Sequence, residues 1–282
     1  QYAVWGAWLP VASRYLGAST AEGGLGFTGG QIGWILGLGG SIGAICAPFI
    51  AGQFADRYFS TERVLACFLL LGGVLKWITA SQTTYGAWMG LSIVYSILYM
   101  PTLALTNSMA FAHLGDARRE FPWVRVWGTL GWIAASWAFP MLFLQSDLHW
   151  RWMPPFLAGT EHSDVVARLA HALRFSGAMS IVYAIFCLGL PHTPPRRDAV
   201  EELAFARAAR LFKHPSFALL VAVSLAIAAI HQIYFLQTFP FLRSIGLLDS
   251  EAGPAVTVGQ FAEILILPAL GFLLAKLGFS GV

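Results

Sequence analysis

An arginine, a threonine and a tryptophan recur at helical spacing within one apolar stretch, FPWVRVWGTLGW. Arg125, Thr129 and Trp132 are four and then three residues apart, so they share one face of an α-helix. A guanidinium, a hydroxyl and an indole on one face can together bind a flat polar molecule. Arg125 is only about 6 Å inside the stretch. The alternative is therefore an arginine that extends to the lipid headgroups.

An acidic residue lies near the middle of another apolar stretch. Glu263 is about 15 Å from the start of that stretch, which is half of a bilayer core, and Gln260 precedes it on the same face. Ionising a carboxyl group at that depth is costly, and binding a proton removes the cost. We therefore predict that Glu263 binds and releases a proton. A hydrogen-bonded structural carboxyl group is the alternative.

A third set of polar groups lies in AAIHQIYFLQTFP. Neighbouring residues of a helix point about 100° apart, so His231 and Gln232 are not expected to face one cavity squarely together. We predict that Gln232 binds a ligand. His231 is either a member of a proton relay or a histidine of the core.

The composition shows which solvent surrounds these residues. The 282-residue chain is 57% apolar and only 11% charged, with a mean hydropathy of +0.66, whereas soluble domains carry about 25% charged residues. A surface solvated by lipid accounts for this deficit. The sequence contains no basic stripe for nucleic acid, no nucleophile–base set and no metal-ligand spacing. We expect neither an enzyme nor a cofactor or metal.

Eight stretches are long enough to span a bilayer core of about 30 Å as helices. They cover residues 1–16, 30–54, 62–81, 86–112, 121–144, 171–191, 216–239 and 253–277. The sequence therefore predicts an all-α, multi-pass membrane protein. Both ends of the chain lie in or next to apolar stretches, so we expect a fragment whose first helix is truncated.

If the N-terminal end is cytoplasmic, the loops on the cytoplasmic side carry more lysine and arginine than the outer loops. This bias favours an orientation with the N-terminal end in the cytoplasm. Segment 146–170 is then an outer loop, whose charges are expected to be solvated. Lys76 lies about five residues from the outer end of the third stretch and is expected to reach the bilayer surface.

The second stretch carries a stripe of small residues. Its members are Gly29, Gly33, Gly37, Gly39, Gly43, Ala47 and Ala51. Small residues on one face allow the backbones of two helices to approach closely in lipid. We expect this stripe to pack against a neighbouring helix.

GQFADRYFSTERVL, residues 52–65, resembles the loop signature between the second and third helices of the major facilitator superfamily. Gly52, Asp56 and Arg57 match its G-x-x-x-D-[RK] core, whereas a later glycine and a basic residue are missing. GFLLAKLGFSGV resembles a degenerate second copy, in which Ala275 and Lys276 replace the aspartate and the arginine. A repeat six helices later is typical of two related halves.

Four further stretches resemble the nucleoside:proton symporter family of that superfamily, in the order of that family. They are QYAVWGAWL, YMPTLALTNS, FPWVRVWGTLGW and LPHTP. The resemblance covers essentially the whole chain and implies a twelve-helix fold with about eight helices present. It implies an N-terminal half at 1–191, a cytoplasmic loop at 192–215 and the start of a C-terminal half at 216–282. It also implies a multi-pass protein of the bacterial inner membrane.

The resemblance implies a site as well. The positions that match the nucleoside-binding residues of the family are Arg125, Thr129, Trp132, Gln232, Gln260 and Glu263. Phe235 replaces an asparagine of the family, so contacts with the base or the ribose are expected to differ. Glu263 would couple transport to the proton. The expected partners are a nucleoside, a proton and the lipid bilayer, without nucleic acid, and we expect a monomer.

Together these features predict a proton-coupled nucleoside symporter that works by alternating access. A facilitator for another small solute, such as a sugar, is the first alternative. A nucleoside sensor that does not transport is the second. The sequence does not distinguish a preference for purines from one for pyrimidines.

Overall fold

The computed structural model describes residues 1–48, 50, 58–152, 156–195 and 210–278, and most of them are helical, which confirms the predicted all-α class. The helices are α1 Tyr2–Gly6, α2 Leu9–Gly17, α3 Gly29–Gly33, α4 Gly39–Pro48, α5 Thr61–Thr79, α6 Tyr85–His113, α7 Ala117–Phe139, α8 Val165–Arg168, α9 His171–Leu188, α10 Pro215–Ser244, α11 Asp249–Val256 and α12 Val258–Leu277. Short 3-10 turns cover Thr20–Glu22 and Leu211–Lys213, and π-helical turns cover Trp34–Leu38 and Pro140–Leu144.

Six stretches of the described chain are long and apolar enough to cross a membrane. They are Gly29–Ala47, Tyr85–His113, Glu120–Leu144, Val165–Leu188, Pro215–Ser244 and Asp249–Ala269. They correspond to six of the predicted spans. The first predicted span is helical but is divided between α1 and α2. The third is α5, which carries the charged residues Glu62, Arg63 and Lys76.

The break between α1 and α2 follows from a proline at the start of α2. Pro10 has no N–H to donate to the carbonyl group four residues earlier, which is that of Gly6. Ser136 on α7 donates to this carbonyl group instead, at 3.0 Å. A Cβ added to Gly6 would lie only 2.8 Å from the carbonyl oxygen of Trp132. The break therefore fixes α1 closely against α7.

The stripe of small residues in the second span packs against a neighbour over part of its length. A Cβ added to Gly43 would lie 2.2 Å from the carbonyl oxygen of Ser96 on α6, and one added to Gly39 would lie 3.3 Å from Ser92. The Gly43 N–H also donates to Ser96 Oγ at 3.1 Å. Open space surrounds three members of the stripe, Gly29, Gly33 and Gly37. The close approach is therefore between α4 and α6.

Replacing Gly43 with alanine is expected to lower the free energy of unfolding by about 1–3 kcal/mol, because the added methyl group overlaps the backbone of α6. Gly40→Ala is the control, since nothing lies within 4 Å of its added Cβ, and it is expected to be neutral or slightly stabilising. Thermal unfolding of the purified protein measures both. An unchanged melting temperature for Gly43→Ala would contradict the close packing of α4 and α6.

Lys76 lies inside the bundle, so the expectation that it reaches the bilayer surface is wrong. Its side chain is only 4% exposed, and its Nζ is 3.2 Å from the centroid of the Trp8 ring and 3.9 Å from that of Tyr95. Helix α5 packs between α6 and α9, which turns this face towards the interior. The depth of Lys76 along its helix could be estimated by counting residues. The direction in which its side chain points could not, because it depends on how the helix is rotated.

A two-stranded antiparallel hairpin forms in the expected outer loop. Strand β1, Gln145–Trp150, pairs with strand β2, Leu157–Glu161. The Glu161 carboxylate accepts a hydrogen bond of 2.9 Å from the Ser250 N–H. The expectation that the charges of this loop are simply solvated is therefore wrong for Glu161, which connects the hairpin to the C-terminal half.

A buried carboxylate joins the two halves at the same end of the molecule. The side chain of Asp249 is 1% exposed and lies 3.1 Å from Arg14 Nε and 3.1 Å from Arg243 Nε. Arg14 Nη2 is also 3.2 Å from Glu22. Two guanidinium groups around one carboxylate hold α2, the end of α10 and the start of α11 together. By the predicted orientation this end faces outward.

Two predictions fall on parts of the chain outside the described residues. Positions 196–209 of the loop at 192–215 are among them, so the division into halves at 192–215 stays a prediction. The signature formed by Gly52, Asp56 and Arg57 also lies there. Lys276 of the second copy is exposed, and its Nζ is 5.3 Å from the centroid of the Phe272 ring.

Candidate functional site

A cavity of about 190 Å³ lies between α1, α7, α10 and α12. The six residues predicted to form a site all border it: Arg125, Thr129, Trp132, Gln232, Gln260 and Glu263. Three of them lie on α7 and three on α10 and α12, which are on opposite sides of the predicted loop at 192–215. The structure brings the predicted residues together, and their binding roles stay predictions.

An ion pair crosses this cavity from one half to the other. Arg125 Nη2 is 3.7 Å from Glu263 Oε1, and the two side chains are 32% and 36% exposed. This distance is too long for a good hydrogen bond, so the attraction is mainly coulombic and is weakened by solvent. The pair joins α7 to α12 across the cavity.

Arg125 borders the cavity and lies against an aromatic ring of α1. Its guanidinium carbon lies 4.3 Å from the centroid of the Tyr2 ring, a cation–π contact. Gly128, one turn further along α7, makes room for this ring, since an added Cβ would lie 2.7 Å from Tyr2 Cδ2. The arginine is thus held from both sides, by an aromatic ring of α1 and by the carboxylate of α12.

Aromatic rings form one wall of the cavity. Trp132 meets Trp5 edge to face, with 6.1 Å between ring centroids, and meets Phe235 in the same way at 5.6 Å. Trp132 itself is only 7% exposed, which leaves little of its ring face open. Trp5 and Phe235 are half-buried. A planar ligand would therefore contact these two rings as well as Trp132.

Gln260 lies where the eighth predicted span is interrupted. Helix α11 ends at Val256 and α12 begins at Val258. In the amide orientation that satisfies both polar atoms, the side-chain nitrogen of Gln260 donates to the carbonyl oxygens of Val256 and Thr257, at 3.1 and 3.0 Å. The amide nitrogen is thus engaged at the break. The amide oxygen is the atom with which Gln260 can accept a hydrogen bond from a ligand.

Gln232 and His231 both border the cavity, although their angular separation led us to expect only one of them. The cavity extends around α10 far enough to reach both. Gln232 Nε2 donates a long hydrogen bond of 3.5 Å to the carbonyl oxygen of Leu36. The His231 ring packs edge to face on Phe235, with 4.8 Å between centroids.

The cavity can thus hold a small polar solute by hydrogen bonds and ring contacts, next to the carboxyl group of Glu263. No group of three or more His, Cys, Asp or Glu side chains in the described part of the chain could hold a metal ion. The family model of the nucleoside H⁺ symporter matches residues 1–282. The chain belongs to the nucleoside H⁺ symporter family.

One relative of this chain is YegT of Escherichia coli (strain K12), which is 31% identical to it over 285 residues. The xanthosine permease of Escherichia coli (strain K12) is 30% identical over 299 residues. A crystal structure of the nucleoside transporter NupG superposes with a TM-score of 0.75 at 25% identity, covering 98% of this chain and 66% of NupG. The fold is therefore that of a multi-pass, cell-membrane member of the major facilitator superfamily.

The chain spans less than two thirds of the length of these relatives. Both alignments cover all of this chain, but only 61% of YegT and 65% of the xanthosine permease. The relatives are named as transporters and permeases, and none of those named here is an enzyme.

Three residues of α1 and α2 also border the cavity and were not predicted from the sequence. Tyr2, Trp5 and Leu9 border the cavity, and their spacing of three and then four residues would place them on one helical face. This spacing was the signal that could have found them. The break in the helix after Gly6 weakens this pattern, and none of the three residues carries a charged or amide side chain.

Proposed function

We propose that this chain belongs to a proton-coupled nucleoside transporter of the bacterial inner membrane that works by alternating access. The observation that carries the proposal is the pair of Arg125 and Glu263, which come from opposite halves and meet across a cavity lined by amide and aromatic groups. A titratable acid next to a solute cavity is the arrangement that proton-coupled transport requires.

The groups around the cavity complement a nucleoside. A nucleoside has a planar base, which the aromatic wall of Trp5, Trp132 and Phe235 can contact. Its ribose hydroxyls and base edges donate and accept hydrogen bonds, which matches amides such as those of Gln232 and Gln260. A neutral nucleoside does not balance the charge of Arg125, which instead faces Glu263 across the cavity.

Proton binding and solute binding are coupled through Glu263. When the carboxyl group is ionised, it attracts Arg125 and narrows the cavity. A proton removes this attraction, so both groups become available to the nucleoside. Because linkage is reciprocal, the nucleoside then favours the protonated form in return. The solute and the proton therefore cross together.

The contacts between the halves support alternating access. The carboxylate of Asp249, with Arg14 and Arg243, closes the end predicted to face outward. Opening this end while the opposite end closes would expose the same cavity to the other side of the membrane. In the proposed cycle, these contacts belong to the state in which this end is closed.

Uptake by proteoliposomes tests the proposal. The full-length protein should accumulate uridine when the outside is more acidic than the inside, and a protonophore should abolish the accumulation. A panel of sugars should not compete. Competition by sugars would favour another facilitator, and tight uridine binding without any uptake would favour a sensor.

Replacing Gln232 with leucine is expected to weaken uridine binding by up to about tenfold, because one or two hydrogen bonds between neutral groups are lost. Gln237→Leu is the matched control on the same helix, since Gln237 borders a different cavity beside Arg14 and Arg243. Equilibrium binding to both purified variants gives the ratio. Equal affinities of the two variants would remove Gln232 from the proposed site.

A further inference from the structure

Lys76 is a buried amino group whose charged form has no recorded counter-charge within the described chain. It is 4% exposed, and none of the ion pairs recorded in the described part of the chain includes it. Its contacts with the rings of Trp8 and Tyr95 offset part of the cost of burying an ammonium group. The full penalty for an unpaired buried ion is larger than this.

A second cavity, of about 290 Å³, lies beside the ammonium group, and we call it the Lys76 cavity. Trp8 and Tyr95 border it together with Lys76. Trp8 Nε1 and Tyr95 Oη are both buried and lie close enough to interact with each other, but within the described chain neither makes a hydrogen bond of normal geometry. Three groups that can donate a hydrogen bond therefore surround one space. Such an arrangement fits an acceptor that carries negative charge.

The Lys76 cavity adjoins the site described above. Trp5, Leu9 and Gln232 border both cavities. A solute held between Gln232 and the aromatic wall can thus extend one edge towards Lys76. A bound solute could then supply the hydrogen-bond acceptor for the donors that border the Lys76 cavity.

We propose that the Lys76 cavity is a second lobe of the substrate site, which binds the negatively charged base of an anionic nucleoside with Lys76 as its counter-charge. This inference rests on the proposed nucleoside transport and specifies the class of substrate. A nucleoside with a dioxopurine base loses a ring proton near neutral pH and then carries the charge on its oxygens. Such a base supplies both the charge and the acceptors that the three donors lack.

Lys76→Met tests the proposal, with xanthosine and inosine as the two probes. Both are purine nucleosides of similar size, but at neutral pH xanthosine is largely anionic and inosine is neutral. In the full-length protein, the variant is expected to raise the dissociation constant of xanthosine about tenfold or more and to leave that of inosine within about twofold. Lys213→Met is the control, because Lys213 is exposed on a 3-10 turn far along the chain, and it should change neither constant.

Tyr95→Phe is a second variant that keeps the ring under the ammonium group and removes one donor. It should weaken xanthosine binding about threefold to tenfold and spare inosine, and it decides the question if Lys76→Met does not fold. Equal changes for the two nucleosides, or no change for either, would overturn the proposal. If the unmodified protein binds uridine and inosine but shows no preference that depends on Lys76, only this inference falls. If it binds no nucleoside, the proposed function falls with it.

Discussion

Glu263→Gln is expected to abolish the accumulation of nucleoside driven by a proton gradient, while exchange of nucleoside across the membrane continues. Glutamine has nearly the same shape as protonated glutamate but cannot bind or release a proton. It also forms no ion pair with Arg125, so the variant resembles the protonated carrier permanently. For one proton per nucleoside, each pH unit of gradient supplies about 1.4 kcal/mol, or about tenfold accumulation. The variant should reduce this ratio to about one.

Two assays on proteoliposomes separate these activities. Uptake against a nucleoside gradient measures accumulation, and counterflow of labelled uridine measures exchange. Glu251→Gln is the matched control, since the Glu251 carboxylate pairs with Arg151 at 3.8 Å near the surface and borders no part of the proposed site. Undiminished accumulation by Glu263→Gln would remove this residue from proton coupling. Loss of exchange together with accumulation would indicate that the carboxylate acts in binding alone.

Asp249→Asn is expected to open the outward end of the protein. The asparagine has the same size but no charge, so Arg14 and Arg243 are left facing each other around a neutral group. Breaking a buried ion pair from one side costs about 3–5 kcal/mol, and we expect the lower end of this range because both arginines are partly exposed. Of these two contacts, only the one with Arg14 connects α2 to α11, and in the proposed cycle it is this contact that breaks when the outward end opens. The equilibrium should therefore shift towards an outward-open state.

Labelling of an introduced cysteine measures this shift. Ser13 is 7% exposed and borders a cavity of about 450 Å³ beside Arg14 and Arg243. In Ser13→Cys, a membrane-impermeant maleimide added from outside should react faster when Asp249→Asn is also present. Asp164→Asn is the control, because its pair with Arg168 is exposed and screened by solvent and therefore contributes little. Equal labelling rates with both variants would contradict a closing role for Asp249.

The sequence was sufficient to predict most of the helices, and to single out six residues that border one cavity, for a simple physical reason. A lipid-facing helix must be apolar along its whole length, so the spans stand out in the composition. A polar side chain within such a span must then find a cavity or a partner. Arg125 and Glu263 were identified by this exclusion, and spacing along α7 was enough to add Thr129 and Trp132.

Contacts between helices could not be predicted in the same way, because they depend on how each helix is rotated. The pairing of Arg125 with Glu263, the position of Tyr2 under the guanidinium group and the burial of Lys76 all depend on this rotation. The hairpin of β1 and β2 was missed because an exposed loop carries no apolar periodicity. The break before α2 was missed because Pro10 was read as part of a continuous apolar run.

The hydrogen bond from Gln232 to Leu36 has a consequence for how a ligand would change the protein. Leu36 belongs to a π-helical turn. The wider hydrogen-bonded ring of such a turn perturbs the regular pattern of backbone carbonyl groups. The carbonyl group of Leu36 accepts its hydrogen bond from the Gln232 amide on α10. A nucleoside that engages the same amide must compete with Leu36. Binding of the ligand would thus break a hydrogen bond between α10 and the second span. In the empty protein this bond would restrain the movement of the two helices relative to each other.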